Sequence, residues 1–417
     1  MRIPVLLLMI AGMTAAHAFD LFRGRRDTLR DRAGITAAQS SDNMTNTPPV
    51  VVYASLTGSD ANTGTNASAP LKTLQNAVTA ARIYGSIAVR CAKGQYTPGN
   101  GLNSGMDGLY LTNTAAGITL TGGWENDFSL RYASNHSILD GGLAGYRVVT
   151  VSNAHGVALN GFTVKNGSNA DGGGIAVIAT VHFMLTNCSV VSNHAGNGGG
   201  IFISNASNVH IASSRFISNS AGNKGAAVHA SYARDVRIAE THLSRNYSVT
   251  HAGGISLSRC TNALVTNCAI LTNYAGAGSA AFIDYGSNTV FSSVSVLSNS
   301  GAQVFYLNIP AAFSLVNSAV TNNNMTHCSV LLFNASPLII SNNIFGGVAG
   351  TLYGLQELGA QAGHLLYDNR FITGTMDYLY YDTILTNTPF TVDAGGIANI
   401  NSAAMTGAAS AGGNALY

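Results

Sequence analysis

Four residues of unlike chemistry recur at near-constant spacing in the middle of the chain: Asp171, Asn197, Lys224 and His251. Each stands four residues before the last residue of a short Gly/Ala-rich tetrapeptide, "GGGI", "GGGI", "GAAV" and "AGGI" in turn. His229 directly follows the third of these. An acid, an amide, an amine and imidazoles in one row are groups that bind an acidic sugar. An amine beside an imidazole can also serve as a base, because a protonated His251 would disfavour charge on Lys224. A solvated loop column would also be polar, so composition alone does not separate the two readings. Tyr247 and Tyr274 form a second exposed column, whose rings could stack on sugar rings or on each other. The candidate ligand-binding residues are therefore Asp171, Asn197, Lys224, His251, Tyr247 and Tyr274, with Lys224, His251 and His229 as candidates for catalysis.

Carboxylates are scarce where such chemistry would need them. Glycoside hydrolysis needs a set of carboxylates around the scissile bond. Lyases abstract a proton with a Lys or Arg base, with Ca²⁺ held by clustered acids. Between residues 172 and 300 the acids are Asp235, Glu240 and Asp284, which fall in different columns and are not expected to converge. No metal site and no cofactor is expected, and Ca²⁺ enters only if the chain is a lyase. The five cysteines, Cys91, Cys188, Cys260, Cys268 and Cys328, have irregular spacing and no CxxC pair, and read as small buried hydrophobes.

What must position the row is a repeat. The tetrapeptides end at Ile175, Ile201, Val228 and Ile255, and "SAAF" at Phe282 extends the series with steps of 26 to 27 residues. An independent column, Asn193, Asn219, Asn246, Asn273 and Asn299, has the same period. Within each repeat lie three short runs with apolar residues at every second position, as in Ile201/Ile203, Val209/Ile211 and Phe216. Period 2 means strands with one buried face. Three strands per repeat, too short to bury a core alone, must stack on copies of themselves. The expected fold is all-β: a single-stranded right-handed parallel β-helix, a three-faced solenoid rising about 4.8 Å per coil.

The recurring Asn is expected at a left-handed turn. Asn187, Ser213, Glu240, Asn267, Ser293 and Asn317 mark the other sharp turn. Cys188 and Cys268 share a column three coils apart, about 14 Å at the strand spacing and too far for a disulfide. An open solenoid end must be blunted. "PLKTLQNAVTAAR", residues 70–82, places Leu71, Leu74, Ala77, Val78 and Ala81 at helical spacing and predicts an N-terminal capping helix.

At this N-terminal end, "VYASLTGSDANTGT" followed by "PLKTLQNAV" resembles the lead-in of secreted pectate-lyase-like parallel β-helix proteins. "TLTGGWENDFSLRYASNHSILDGG" is similar to the lead-in of bacterial β-helix surface proteins. The GGxI and FxxN elements resemble the repeats of polymorphic outer-membrane proteins. The resemblance covers roughly residues 50–345 and implies the fold and a carbohydrate-related or surface role. It departs from lyases and polygalacturonase-like enzymes in lacking their acid clusters and their Asn-Thr-Asp, Asp-Asp and Gly-His-Gly elements.

Composition narrows the function classes. Charged residues are 9% of the chain, net charge is +2, and there are four lysines, which does not suit nucleic-acid binding. Residues 1–18 carry an early Arg, an apolar core and an A-x-A-like end, and read as a secretory signal peptide. Residues 19–48 read as a linker, 49–347 as the β-helix with its cap, and 348–417 as a C-terminal cap and low-complexity tail. In the tail, "MDYLYYDTILTNTPFTVDAGG" is expected to form a terminal strand pair. No mature segment is expected to span a membrane. The expectation is a monomeric protein, secreted or held at the cell surface, that is adhesin-like or binds a polysaccharide or cell-surface glycan without turnover. The alternative is a polysaccharide lyase acting on an acidic polysaccharide.

Overall fold

Alternating apolar residues become parallel strands wound into a solenoid in the computed structural model. It describes residues 50–347, apart from 86–87, 104–107, 116, 133–135, 143–144 and 335–337, and several strands between 351 and 416. Each coil supplies a strand to each of three faces. In one coil these are Val228–Ser231, Arg234–Ala239 and His242–Ser244. Each strand pairs in parallel with its counterparts in the coils on either side, as in Ser207↔Arg234 and Arg234↔Thr261 on the second face. The chain is a parallel β-solenoid.

The inward residues stack in register. Ile175, Ile201, Val228 and Ile255 are successive rungs of the first face, all fully buried. Burying each such side chain contributes about 1.5–3 kcal/mol, which explains why a period of two residues governs the strands. The series does not continue through Phe282. Ile255 pairs with Ala281, while Phe282 pairs with Ser256 and points outward. The cause is a shorter connection: Val228 follows Asn219 by nine residues, but Ala281 follows Asn273 by eight. One residue lost before a strand moves its neighbour to the other face.

The Asn column is a buried ladder. The Asn246 side-chain amide donates to Asn273 Oδ1 at 2.9 Å and to the Phe216 carbonyl at 3.0 Å. Its own Oδ1 accepts from the backbone and side-chain N–H of Asn219, both at 3.0 Å. The same pattern joins Asn193 to Asn219, Asn273 to Asn299 and Asn299 to Asn323. The left-handed conformation expected for these Asn residues belongs instead to the residue before each, such as Ser218, Arg245 and Thr272. The turn bends one position early, which frees the Asn side chain to point into the core. At the other turn Asn187, Ser213, Glu240, Asn267, Ser293 and Asn317 all have positive φ, as expected.

The helix Leu74–Ile83 buries Leu74, Ala77, Val78 and Ala81 against the N-terminal coil. Thr73 caps it, its Oγ1 accepting from the Asn76 N–H at 3.3 Å. A third turn precedes the first face, where Gly172, Gly198, Gly225 and Gly278 hold φ of +61° to +64°. Ala252 takes the same place at +55°, in the left-handed region that costs a side chain most. The five cysteines are buried and free, with Cys188 and Cys268 in one column. Past residue 347 the strands Thr351–Leu358 and Met376–Asp382 continue the stack in parallel, Leu355 on Val330 and Tyr380 on Leu355. Met376–Asp382 thus adds another coil, and the rest of the expected strand pair, 383–396, lies outside the described residues. The proposed leader, 1–18, and linker, 19–48, lie outside the described residues.

Candidate functional site

The row read from sequence is a true column. Asp171 pairs with Asn197, Asn197 with Lys224 and Lys224 with His251, coil upon coil at the mouth of the first face. Its side chains divide into two groups. At one end the Asn197 amide donates to Asp171 Oδ1 at 2.9 Å, and Asn223 donates to Asn197 Oδ1 at 3.1 Å. The Arg147 guanidinium closes this end by donating to the backbone carbonyls of Asp171 and Gly172. These groups satisfy one another.

The other end is built differently. Lys224 does not turn toward Asp171. Its ammonium crosses the face of Phe282 at 5.3 Å from the ring centroid and pairs with Asp284 at 3.6 Å. Asp284, expected to stand apart, is therefore the carboxylate of this site. It also accepts from the Asn308 amide at 2.7 Å. The His251 ring stacks on Phe282 with centroids 4.3 Å apart, and Tyr306 packs against both. Phe282 is thereby 4% exposed although it points outward. His251 Nδ1 is buried with no hydrogen-bond partner among the described residues.

His229 lies in the outward column of the first face, the same column as Phe282 and two coils before it. It stacks on Phe202 at 5.6 Å and meets Ser256 Oγ through Nδ1 at 3.0 Å. Burial, with Lys224's charge added, pushes its imidazole down to about 3. Burial and Lys224 also push His251 down, and Asp284 offsets part of that. Both rings are thus neutral near pH 7. Burial first and Asp284 second push the Tyr306 phenol up. Burial first and Lys224 second hold His251 neutral, so it does not supply the positive charge expected to act on Lys224.

The first-face site is therefore Lys224, Asp284, His251, Phe282 and Tyr306, with His229 beside it. Asp171 and Asn197 belong to the self-satisfied end. Tyr247 and Tyr274 lie in another column and stack on each other at 5.0 Å, with planes 7° apart and edges exposed. Sequence reasoning missed Asp284, Phe282 and Tyr306 because it carried the first-face register one residue too far. The Asn column held the signal, since its last step is 26 residues where the other series was read as 27. Among the described residues no group of three or more His, Cys, Asp or Glu side chains could hold a metal ion. No helix among them is long and apolar enough to cross a membrane.

No family model matches the chain, and no curated protein matches it significantly. Solved structures do. The chain is similar to a lacto-N-biosidase from Eubacterium ramulus, at 12% identity and TM-score 0.40, covering 80% of this chain and 66% of that one. It is similar to a pectate lyase, at 13% identity and TM-score 0.44, covering 85% and 84%. It is also similar to a surface adhesin of Streptococcus pneumoniae, at 13% and 0.36, covering 78% and 91%. The likeness is one of fold. These solenoids differ in function, and none lends its residues' roles to this chain.

Proposed function

We propose that the protein is an exported glycan-binding solenoid that holds its ligand on the first face without turnover. One observation carries this reading: the half-buried rings of His251 and Tyr306, packed on buried Phe282, meet an ion pair, and the buried Nδ1 of His251 has no partner among the described residues. Sugars present apolar C–H faces to rings and hydroxyls to charged or amide groups, so the arrangement matches their two-sided chemistry. An unpaired buried polar atom is costly, and a ligand hydroxyl would satisfy it. Binding is favoured over catalysis because one carboxylate, not two, stands beside Lys224, and it is engaged in an ion pair. The leader-like residues 1–18 support a place outside the cell, which fractionation of expressing cells and the mass of the mature N-terminus would test.

Titration calorimetry against neutral and acidic oligosaccharides tests the site. Lys224→Ala and His251→Ala should each weaken binding by about tenfold, or about 1.4 kcal/mol. Both variants should melt close to the parent. Lys224→Arg, which keeps the charge on a different shape, should retain part of the affinity. Release of unsaturated uronate products that is lost in Lys224→Arg would replace the binding reading with a lyase. Unchanged binding in both alanine variants would show the column to be a solvated loop.

A further inference from the structure

The turn that follows the first face carries a second, unassigned cluster. Its column runs Asn205, Tyr232, Arg259, Tyr285, all with φ of +51° to +54°. Asn suits that conformation and stands there at Asn205, and again further on at Asn334. Bulky residues replace it in four successive coils, Ile309 being the last, and the first three, Tyr232, Arg259 and Tyr285, bring polar side chains together, each in a backbone region that disfavours it. Strain of this kind persists where the side chains have a use.

Those side chains form a sandwich. The Arg259 guanidinium lies between two exposed phenol rings, 5.2 Å from the centroid of Tyr232 and 5.7 Å from that of Tyr285. It donates one N–H to the Tyr232 hydroxyl. Both faces of the cation are covered and its orientation is fixed, while its other N–H groups have no partner among the described residues. Beside it opens a cleft of about 380 Å³ lined by Asn205, Ser207, Tyr232, Arg234, Arg259 and Thr261. The Arg234 side chain is exposed and makes no hydrogen bond or ion pair among the described residues. The nearby carboxylates are occupied: Asp235 accepts from Asn262, and Asp284 is paired with Lys224. A cleft of this volume is at the lower end of small-ligand sites. Two guanidinium groups, one held flat, are suited to a planar bidentate anion more than to a point charge.

We infer that the Tyr232–Arg259–Tyr285 turn and Arg234 form a subsite for the carboxylate of a uronate residue in a glycan. Asp284, which belongs to the first-face site, directly precedes Tyr285 in the chain, so one oligosaccharide running around the coil can reach both. The inference rests on the glycan-binding reading and adds the chemical class of the ligand.

The test uses calorimetry with the full chain and oligogalacturonates of four to six residues, with their methyl esters as the neutral match. The free acid should bind at least about tenfold more tightly than the ester. Arg259→Asn and Arg234→Gln should each erase most of that preference. Asn is the residue the turn accepts at Asn205, so Arg259→Asn keeps the fold, and a melting curve at or above the parent's verifies it. Arg259→Lys should fail to restore the preference, because an ammonium lacks the planar fork. Arg237→Gln, in the same coil on the second face, should change nothing. Equal binding of acid and ester overturns the subsite, and if Lys224→Ala still weakens binding about tenfold, the first-face reading stands without it. Equal losses in Arg237→Gln and Arg259→Asn, with dextran sulfate competing as well as the uronate, would indicate diffuse positive charge and overturn it too.

Discussion

The buried Asn column and the outward column of the first face run side by side through the same coils, yet they follow opposite rules. From Asn193 to Asn323 the residue repeats unchanged, and from Asn219 to Asn299 each side chain gives and takes the same hydrogen bonds. The outward column reads Ala176, Phe202, His229, Ser256, Phe282, Tyr306, a different residue in nearly every coil. In a solenoid, a column that supports the stack gains from identity, because one geometry solves every coil. A column that meets something outside the protein has no reason to repeat. Variation within a fixed register, together with an unpartnered atom such as His251 Nδ1, is therefore what marks a candidate site here.

The comparison breaks most severely at Asn246. Asn246→Leu removes the acceptor for two N–H groups of Asn219 and the donor to Asn273 Oδ1 and the Phe216 carbonyl. Each group left buried and unpaired costs about 1–3 kcal/mol, so the variant should lose about 3 kcal/mol or more. A large drop in melting temperature is expected. A melt that overlays the parent would mean the ladder contributes nothing.

His229 tests the opposite column through pH. Its folded value is pushed down to about 3 against an ordinary value of 6.5, so below pH 6.5 the unfolded chain binds the proton that the folded chain refuses. Stability contributed by the neutral ring is complete above pH 6.5 and is lost as pH falls toward 3, at about 1.4 kcal/mol per unit. Denaturant melts at pH 7 and pH 5 should therefore differ by about 2 kcal/mol from this group. In His229→Gln the difference should shrink by that amount. The His251 shift acts in the same direction.

Much of this was legible in the sequence, for physical reasons that also explain the omissions. A 26–27-residue period is visible because strand stacking forces every coil to return to the same place. The column Asp171, Asn197, Lys224, His251 was legible because it stands at a fixed distance before each first-face strand. Contacts between coils were not. Lys224 reaches Asp284 two coils on, over a ring that the sequence pattern had assigned to the core. An aromatic residue at the end of "SAAF" looks inward by type, and only the 26-residue step from Asn273 to Asn299 signals that the register has moved and that Ala281 takes the inward place. The Tyr232–Arg259–Tyr285 sandwich does follow the period, in steps of 27 and 26, but its residues differ in type and so escape a search for likeness.

The Tyr247–Tyr274 pair gives a middle case. The rings stack at 5.0 Å but are nearly half exposed. Tyr274→Ala should cost about 0.5–1.5 kcal/mol in a melt, the range for an aromatic pair. If it weakens glycan binding as well, the stack is also a platform for sugar, and the site extends to this column.

The smallest effect is the sharpest check on why the Asn ladder matters. A second ladder lies on the surface, where Asn262 donates to Asp235 Oδ1 at 3.0 Å and accepts from Asn288 at 2.9 Å. Residue type and bond lengths match the interior ladder; the surroundings differ. Water can replace each exposed bond, so the net loss on removing them should be small. Asn262 has φ of +55°, where glycine is at ease, so Asn262→Gly removes the side chain without straining the turn. The change should stay within about 0.5 kcal/mol, as for a surface substitution away from special features. A loss as large as that of Asn246→Leu would show that the stacked amides themselves, not the burial of their partners, stabilise the coils. The interior and surface ladders would then be equivalent supports, and repetition alone, rather than repetition with burial, would identify a structural column in this chain.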